Sequence, residues 1–497
     1  MEQFLGGLQI LMQWQNFLII PLGLAIGIVV GAIPGLTSDL GIILCIPLTY
    51  GMEPTMAILM LLAIYCGGTY GGSITAILIN TPGTPSAAAT AIEGYEMSRK
   101  GQALKALEMA LYASFLGGII SCFCLIFVSP ILAAFAMKFG PAEYFVLGVF
   151  GISIVASLAT GNMIKGLIAA TFGLTMAVIG LDPIDGAPRL TFGTIAMQSG
   201  ITTIPALIAL FAVGELMCQG EDVYKEEDLE IQSIKGQHLT IKEFIQHWKI
   251  MIISSLIGCF IGAVPGTGGG VAAFTSYNTA QKMSKHKEEF GKGTIEGIAA
   301  SEAGNNGVTG ATMIPLLTLG IPGDAVTAVL LGALMIQGLT PGPLLFKGED
   351  AQTIYGIFAL LIVCNGFMLI MGKIGLPLFA KVTDIPAEFL QPIIMALCCI
   401  GTYASSTRIY ELRVMLVIGL LAFFMKKIKL PTAPALLGLI LGPTIEAYLR
   451  RGLLAKRGSF WAMFDGRPIA ITIAVITIIM LLYTAYGEIK GMKKPEE

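Results

Sequence analysis

A chain of 497 residues that is 55% hydrophobic and only 12% charged, with a mean hydropathy of +0.80, is too apolar for a soluble domain, in which about a quarter of residues carry charge. It reads as an all-α polytopic membrane protein, because helices satisfy their own backbone in lipid. A net charge of −2 with no basic patch interleaved with aromatics excludes a nucleic-acid partner. The nine cysteines form no CxxC pair and read as buried reduced thiols.

The first apolar run, near 17–33, ends in a Gly-Ala-Ile-Pro-Gly string at Gly31 to Gly35, one turn after Gly27. No basic residue precedes Arg99, so this run lacks the positive flank of a cleaved signal and is expected to stay as a span. The run near 54–68 leads into a break at Pro82-Gly83, and runs near 106–135, 142–159, 164–181 and 201–218 complete a first membrane repeat, residues 1–218. Residues 219–249 form a polar linker with an acidic opening at Glu221, Asp222, Glu226, Glu227, Asp228 and Glu230. Thr240 and Glu243 match a capping box there, with Ile241, Phe244, Ile245 and Trp248 on one face of a short interfacial helix.

The second repeat, residues 250–497, opens as the first does. Its apolar run ends in Gly-Ala-Val-Pro-Gly at Gly262 to Gly266, one turn after Gly258, and a break at Pro322-Gly323 follows. Farther on, Pro386-Ala-Glu-Phe matches Pro141-Ala-Glu-Tyr. Later runs extend to 468–486 and bring the expected total to about 10 to 12 transmembrane helices, with the shorter runs suited to broken helices or re-entrant hairpins. Paired Gly/Pro interruptions in matching halves point to a transport site.

The basic loops of the halves are out of phase. Lys282, Lys285, Lys287 and Lys292 follow the first break of the second half, whereas Arg99, Lys100 and Lys105 follow the second break of the first half. Two inverted-topology repeats would show this under the positive-inside rule.

Beside the breaks lie small polar residues: Ser73, Asn80, Thr81, Gly83, Thr84 and Ser86 in the first half, and Asn305, Asn306, Thr318, Gly320 and Gly323 in the second. They are the candidate substrate-binding residues, because half-helix N-termini, hydroxyls and amides can hold a carboxylate where fixed cations are few. Acidic residues at membrane depth are costly and point to function; Asp39, Glu302 and Asp324 lie near the breaks. Asp39, Asn305 and Asp324 are the candidate cation ligands, although Asp39 and Asp324 equally suit helix caps. The glycines at 27, 31, 258 and 262 read as packing points.

These residues resemble the large permease subunit of the tripartite tricarboxylate transporter family, the TctA type. The likeness spans nearly the whole chain and is carried by GAIPGL, YGGSITAILINTPGTPS, SRKGQALKAL, GAVPGTGGG, KHKEEFGKGTIEGIAASEAGNNG, PLLTLGIPGDAVTAVLLGALMIQGL and TPGPLLF. Two places depart from the family pattern: Glu93-Gly94-Tyr95-Glu96-Met97 stands where DGYPM is usual, and Ser301 stands where a proline usually precedes the EAxNN run. The resemblance implies a secondary active carrier of tricarboxylates or related carboxylates, coupled to Na⁺ or H⁺, in a bacterial or archaeal inner membrane. It also implies a small four-span membrane subunit and a periplasmic solute-binding protein as partners, no cofactor beyond the coupling ion, and leaves a homodimer open. By analogy with other inverted-repeat carboxylate carriers, the domain that holds both breaks would move substrate against a scaffold of longer spans.

An enzyme fits poorly. All three histidines lie in polar segments, no HExxH or GxSxG occurs, Ile321 stands where an intramembrane aspartyl protease needs glycine, and the GTGGG run at Gly266 to Gly270 lacks the Lys-Ser/Thr of a nucleotide loop. A carboxylate-permeable channel is the other transport reading. The inverted repeat makes a direct prediction: single cysteines near positions 285 and 345 should label from opposite faces of the membrane, and labelling of both from one face would sink it.

Overall fold

The computed structural model describes residues 14–33, 35–158, 163–182, 185–222, 234, 236–347, 350–382 and 387–491. Pro34, Pro386 and the acidic linker residues Glu226, Glu227, Asp228 and Glu230 fall outside them. In chain order the helices are α1 Trp14–Gly31, α2 Ser38–Cys45, α3 Pro54–Ile79, α4 Ala88–Arg99, α5 Ala103–Ala136, α6 Pro141–Leu158, α7 Met163–Val178, α8 Thr203–Leu207 and α9 Gly214–Asp222. A π-helical turn, Ile208–Val213, joins the last two. They continue as α10 Ile241–Gln246, α11 Trp248–Ala263, α12 Gly268–Met283, α13 Ile295–Ala311, α14 Met313–Leu319, α15 Ala325–Ile336, α16 Asp350–Lys381, α17 Ala387–Ser406, α18 Ile409–Lys427, α19 Thr432–Ala455 and α20 Pro468–Gly491. A two-residue hairpin pairs β1 Gly180–Leu181 with β2 Pro188–Arg189.

Among the described residues seven helices are long and apolar enough to cross a membrane: α1, α3, α5, the continuous run Thr203–Gly220, α16, α19 and α20 through Tyr486. Five shorter apolar helical stretches accompany them. The chain forms two compact units, Met1–Ala134 with Glu221–Ile394, and Phe135–Gly220 with Met395–Glu497.

The first unit is built on α3, whose side chains are buried almost throughout. A helix that is apolar on every side belongs inside a bundle. It starts cleanly because Pro54 occupies the first turn and the Glu53 carboxylate accepts from Met56 N at 3.2 Å. α1 packs along α3, and α11 packs along α13 in the same manner.

Each of these pairs closes on its own glycines. A Cβ at Gly83 would overlap the Gly31 carbonyl oxygen; in the second half, a Cβ at Gly323 would lie 3.0 Å from the Gly262 carbonyl oxygen and 2.8 Å from Thr312 Cβ. Gly266 N also donates to Gly323 O at 2.8 Å. The second break of each half therefore lies against the glycine that ends or precedes the end of that half's first helix.

The second half departs from the first in one respect. Where α3 runs unbroken to Ile79, its counterpart is divided at Thr312 into α13 and α14, and Pro315 follows in the first turn of α14. Proline removes a helical N–H and clashes with the preceding turn.

Within this unit the loops of the two halves meet one another. Lys100 Nζ donates to Lys292 O, and Lys105 Nζ bonds Glu243 Oε1 at 2.5 Å. Elsewhere Gln337 Nε2 donates to Thr49 O at 3.2 Å. The loop after α4 thus meets the loop before α13, and the turn after α2 meets the end of α15. The expected capping box at the start of α10 is present, with Glu243 N donating to Thr240 Oγ1 at 3.3 Å and Thr240 N donating to Glu243 Oε2 at 2.9 Å. Lys105 and those Thr240 bonds hold the Glu243 carboxyl down to about 2.

Glu93 ties α4 to the second half. Fully buried, it accepts from Gly291 N at 2.5 Å and Tyr277 Oη at 2.7 Å on Oε1, and from Gly293 N at 2.7 Å and Thr294 N at 2.9 Å on Oε2. Four donors replace the water that a carboxylate loses on burial.

In the second unit α19 packs against α7 and α6, and α20 against α6. The hairpin presents Asp182 and Arg189 to α19. Arg189 forks onto Glu446 at 3.1 and 3.0 Å, and Arg450 forks onto Asp182 at 3.2 and 2.8 Å. Two cations and two anions balance there, and bidentate geometry makes such pairs strong.

The Glu93 arrangement predicts an asymmetric response to substitution. Glu93→Gln turns one carboxylate oxygen into an NH₂ that faces backbone donors, so it should cost roughly 1.5–3 kcal/mol for each bond lost. Thermal unfolding of the purified chain should show this as a lowered Tm, and an unchanged Tm would remove Glu93 as the link.

Candidate functional site

Helix α12 starts on a glycine run. Gly266 and Gly268 have φ of 82° and 68°, a region that costs glycine nothing and other residues strain. No side chain caps the helix. Thr267, which holds the capping position, donates its hydroxyl to Ile261 O at 2.6 Å and Val264 O at 2.9 Å. The first amides of α12 are left without a side-chain acceptor, and the aligned peptide dipoles add partial positive charge at that end.

Polar groups from both halves surround this terminus. A Cβ at Gly269 would lie 2.8 Å from Asn305 Oδ1 and 3.1 Å from Ser86 Cβ, and one at Gly268 would lie 3.6 Å from Asp324 Cβ. Thr84 Oγ1 is 3.2 Å from Ser86 Oγ. Asn305 is buried, and its Nδ2 has no hydrogen-bond partner. An orphaned buried amide of this kind calls for an explanation, a ligand among them. Among the described residues, no lysine, arginine or histidine is recorded in a hydrogen bond or ion pair with Thr84, Ser86, Asn305 or Asp324.

Asp324 is occupied at its own helix. Its Oδ1 accepts from Thr327 N at 2.8 Å and Thr327 Oγ1 at 2.6 Å, capping α15, and its Oδ2 accepts from Tyr65 Oη at 2.9 Å. This is the capping role that the sequence held open beside cation binding. Asp39 sits half-buried in the first turn of α2, which packs against α15.

Other candidates lie outside this cluster. Ser73 donates to Tyr70 O at 2.7 Å and Thr318 to Ile314 O at 2.6 Å, each within its own helix and fully buried. Asn80 ends α3 in the left-handed region with φ 55° and is exposed; Thr81 is half-buried and donates to Ile79 O at 3.3 Å. Gly320 ends α14 with φ 71°. Gly83 and Gly323 form the backbone contacts at the breaks.

Asn306 is one residue from Asn305 but belongs to a different group. Its Nδ2 donates to Ser114 Oγ at 2.8 Å and to Glu302 O at 3.1 Å, and lies 3.3 Å from Glu302 Oε2. On a helix, adjacent residues point about 100° apart, so the pair splits between two environments.

Gly268, Gly269, Gly270 and Tyr65 lie outside the binding residues expected from sequence. A glycine run before a helix that has no Ser, Asp or Asn at its start was a usable signal for the first three. Nothing in the local sequence marks Tyr65, which reaches Asp324 only through the packing of α3.

The chain is similar to known proteins. A curated relative, an uncharacterized 52.8 kDa protein in the TAR-I ttuC' 3' region of Agrobacterium vitis, is 35% identical over 471 residues, which cover 95% of this chain and 93% of the relative. An uncharacterized protein in the TAR-II ttuC' 3' region of the same organism is 34% identical over 236 residues, which cover 48% of this chain and 97% of that relative. The sequence pattern of the tripartite tricarboxylate transporter TctA family matches residues 17–437, and with the two sets of helix breaks and the apolar helices around them it establishes that this chain belongs to that transporter family.

Proposed function

We propose that the chain is the large permease subunit of a tripartite secondary active transporter that imports tricarboxylates or related carboxylates through the inner membrane, driven by a Na⁺ or proton gradient. In this reading a periplasmic binding protein delivers the substrate, and a small four-span membrane subunit completes the complex. Membership in the family supports the partners and the substrate class.

One observation carries the proposal: the uncapped N-terminus of α12 faces the Ser86 region and the Asn305 amide, whose Nδ2 has no hydrogen-bond partner, with no lysine, arginine or histidine among the described residues paired with these groups. Amides, hydroxyls and a helix dipole recognise an anionic oxygen without a fixed positive charge.

The contacts between halves support opposite orientations for the repeats. An inverted pair brings the end of one repeat's second hairpin beside the end of the other's first. The pairings of Lys100 with Lys292 and of Thr49 with Gln337 have that form.

The test is uptake of labelled citrate and other carboxylates into proteoliposomes that contain the permease and its small subunit, with loaded binding protein outside. Saturable uptake that needs an imposed gradient is expected. Asn305→Ala and Gly269→Ala should each lower uptake efficiency about 10- to 100-fold, the effect of one charge-assisted hydrogen bond. Uptake that needs no gradient and does not saturate would make the chain a channel, and wild-type efficiency in both variants would move the substrate elsewhere.

A further inference from the structure

The carrier reading leaves the coupling ion open, and a second buried cluster bears on it. Glu302, in the middle of α13, is fully buried. Its Oε1 is 2.5 Å from Thr90 Oγ1 of α4, and its Oε2 accepts from Ser114 Oγ of α5 at 2.9 Å, with Asn306 Nδ2 at 3.3 Å. Thr90 Oγ1 lies 2.9 Å from Ser301 Oγ, which is 3.2 Å from Ile298 O. No cation touches this carboxyl among the described residues, and every neighbouring group is neutral.

The hydrogens can be followed through both protonation states. With a proton on Oε1, Glu302 donates to Thr90, Thr90 donates to Ser301, and Ser301 donates to Ile298 O, while Oε2 accepts from Ser114 and Asn306. With the proton gone, Thr90 reverses and donates to Oε1, and Ser301 keeps its bond to Ile298 O. No hydrogen is stranded in either state. The two states differ only by one O–H bond and one charge.

The Thr90 and Glu302 oxygens are joined by a hydrogen bond of 2.5 Å. Glu93 has no such freedom, because backbone amides hold both of its oxygens, and Asp324 is engaged as the cap of α15.

Most charged and phenolic neighbours on the helices packed against α13 have other partners. Tyr65 bonds Asp324, Tyr277 bonds Glu93, Arg99 pairs with Glu96 and Lys105 with Glu243. Glu296, on α13 itself, accepts from Ser284. Tyr70 of α3 lies within electrostatic reach of Glu302, and its buried hydroxyl has no hydrogen-bond partner.

We propose that Glu302 is the proton-binding group that couples transport to the proton gradient, with Thr90 as the hydroxyl that reverses when the proton enters or leaves and Ser301 as its fixed neighbour. The substrate cluster and this proton cluster are joined through α13, because Asn305 faces the first and Asn306 the second. Occupancy at one end of that pair can therefore bias the other by a rotation or shift of a single helix. The inference rests on the carrier reading.

Two measurements test it separately from that reading. Infrared difference spectra of the purified full chain, wild type against Glu302→Gln, should show a protonated-carboxyl C=O band at low pH that is lost at high pH and is missing from the variant. A spectrum without such a band at any pH at which the protein is folded would overturn the assignment, whatever the substrate. In the proteoliposome assay with labelled citrate, one coupled proton gives about tenfold accumulation for each pH unit of gradient. For Glu302→Gln the ratio of gradient-driven uptake to citrate exchange should fall at least about tenfold, and Glu302→Asp should restore coupling with a displaced pH midpoint. A ratio unchanged in Glu302→Gln would overturn the coupling role with the carrier intact; wild type that neither accumulates nor exchanges a carboxylate would overturn both readings. If Glu302→Gln does not fold, the same ratio in Thr90→Val decides, since loss of the relay must alter its pH dependence.

Discussion

Where a helix stops inside an apolar bundle, its freed N–H and C=O groups have no water to turn to, and each must find a partner in the protein. This chain meets that requirement by laying the second break of each half on the glycine that ends or precedes the end of that half's first helix. Gly83 lies on the Gly31 carbonyl and Gly323 on the Gly262 carbonyl, at distances that leave no room for a side chain. Gly266 N closes one of the freed carbonyls at Gly323. The contact fixes where α12 and α15 begin beside one another.

A helix that begins there brings its dipole with it. The start of α12 has no side-chain cap, and nearby stand hydroxyls from one half and a buried amide from the other. The Asp324 side chain stands beside Gly268 at the same place. A few residues away along α13 lies a carboxyl with no cation, surrounded by hydroxyls. Hydroxyls and amides make up most of both clusters.

The polar groups with a fixed role make the contrast plain. Glu93 and the Asp182, Arg189, Glu446 and Arg450 network have every strong acceptor matched by donors or opposite charge. They hold elements together and offer nothing for a ligand to displace. Glu302 and Asn305 differ because their hydrogen bonding is reversible in one case and incomplete in the other.

Much of this was legible in the order of residues. Glycine and proline interrupt helices for local reasons, so the breaks at Pro82-Gly83 and Pro322-Gly323, the doubled Gly-Ala-x-Pro-Gly strings and the capping box at Thr240 could be read before any contact was known. Hydropathy alone set the class, since the energetic requirement of lipid acts on composition. Tertiary structure decided what the breaks face. Asn305 and Asn306 are neighbours in sequence and look alike there, yet helical geometry sends one to the glycine start of α12 and the other to Glu302. Thr90 and Ser114 carry no local mark of function; they meet Glu302 only because α4 and α5 of the first half pack on α13 of the second. Periodicity and turn chemistry are local properties and can be read from the chain, whereas the pairing of a buried acid with its donors depends on which helices touch, and that is settled only when the whole bundle is packed.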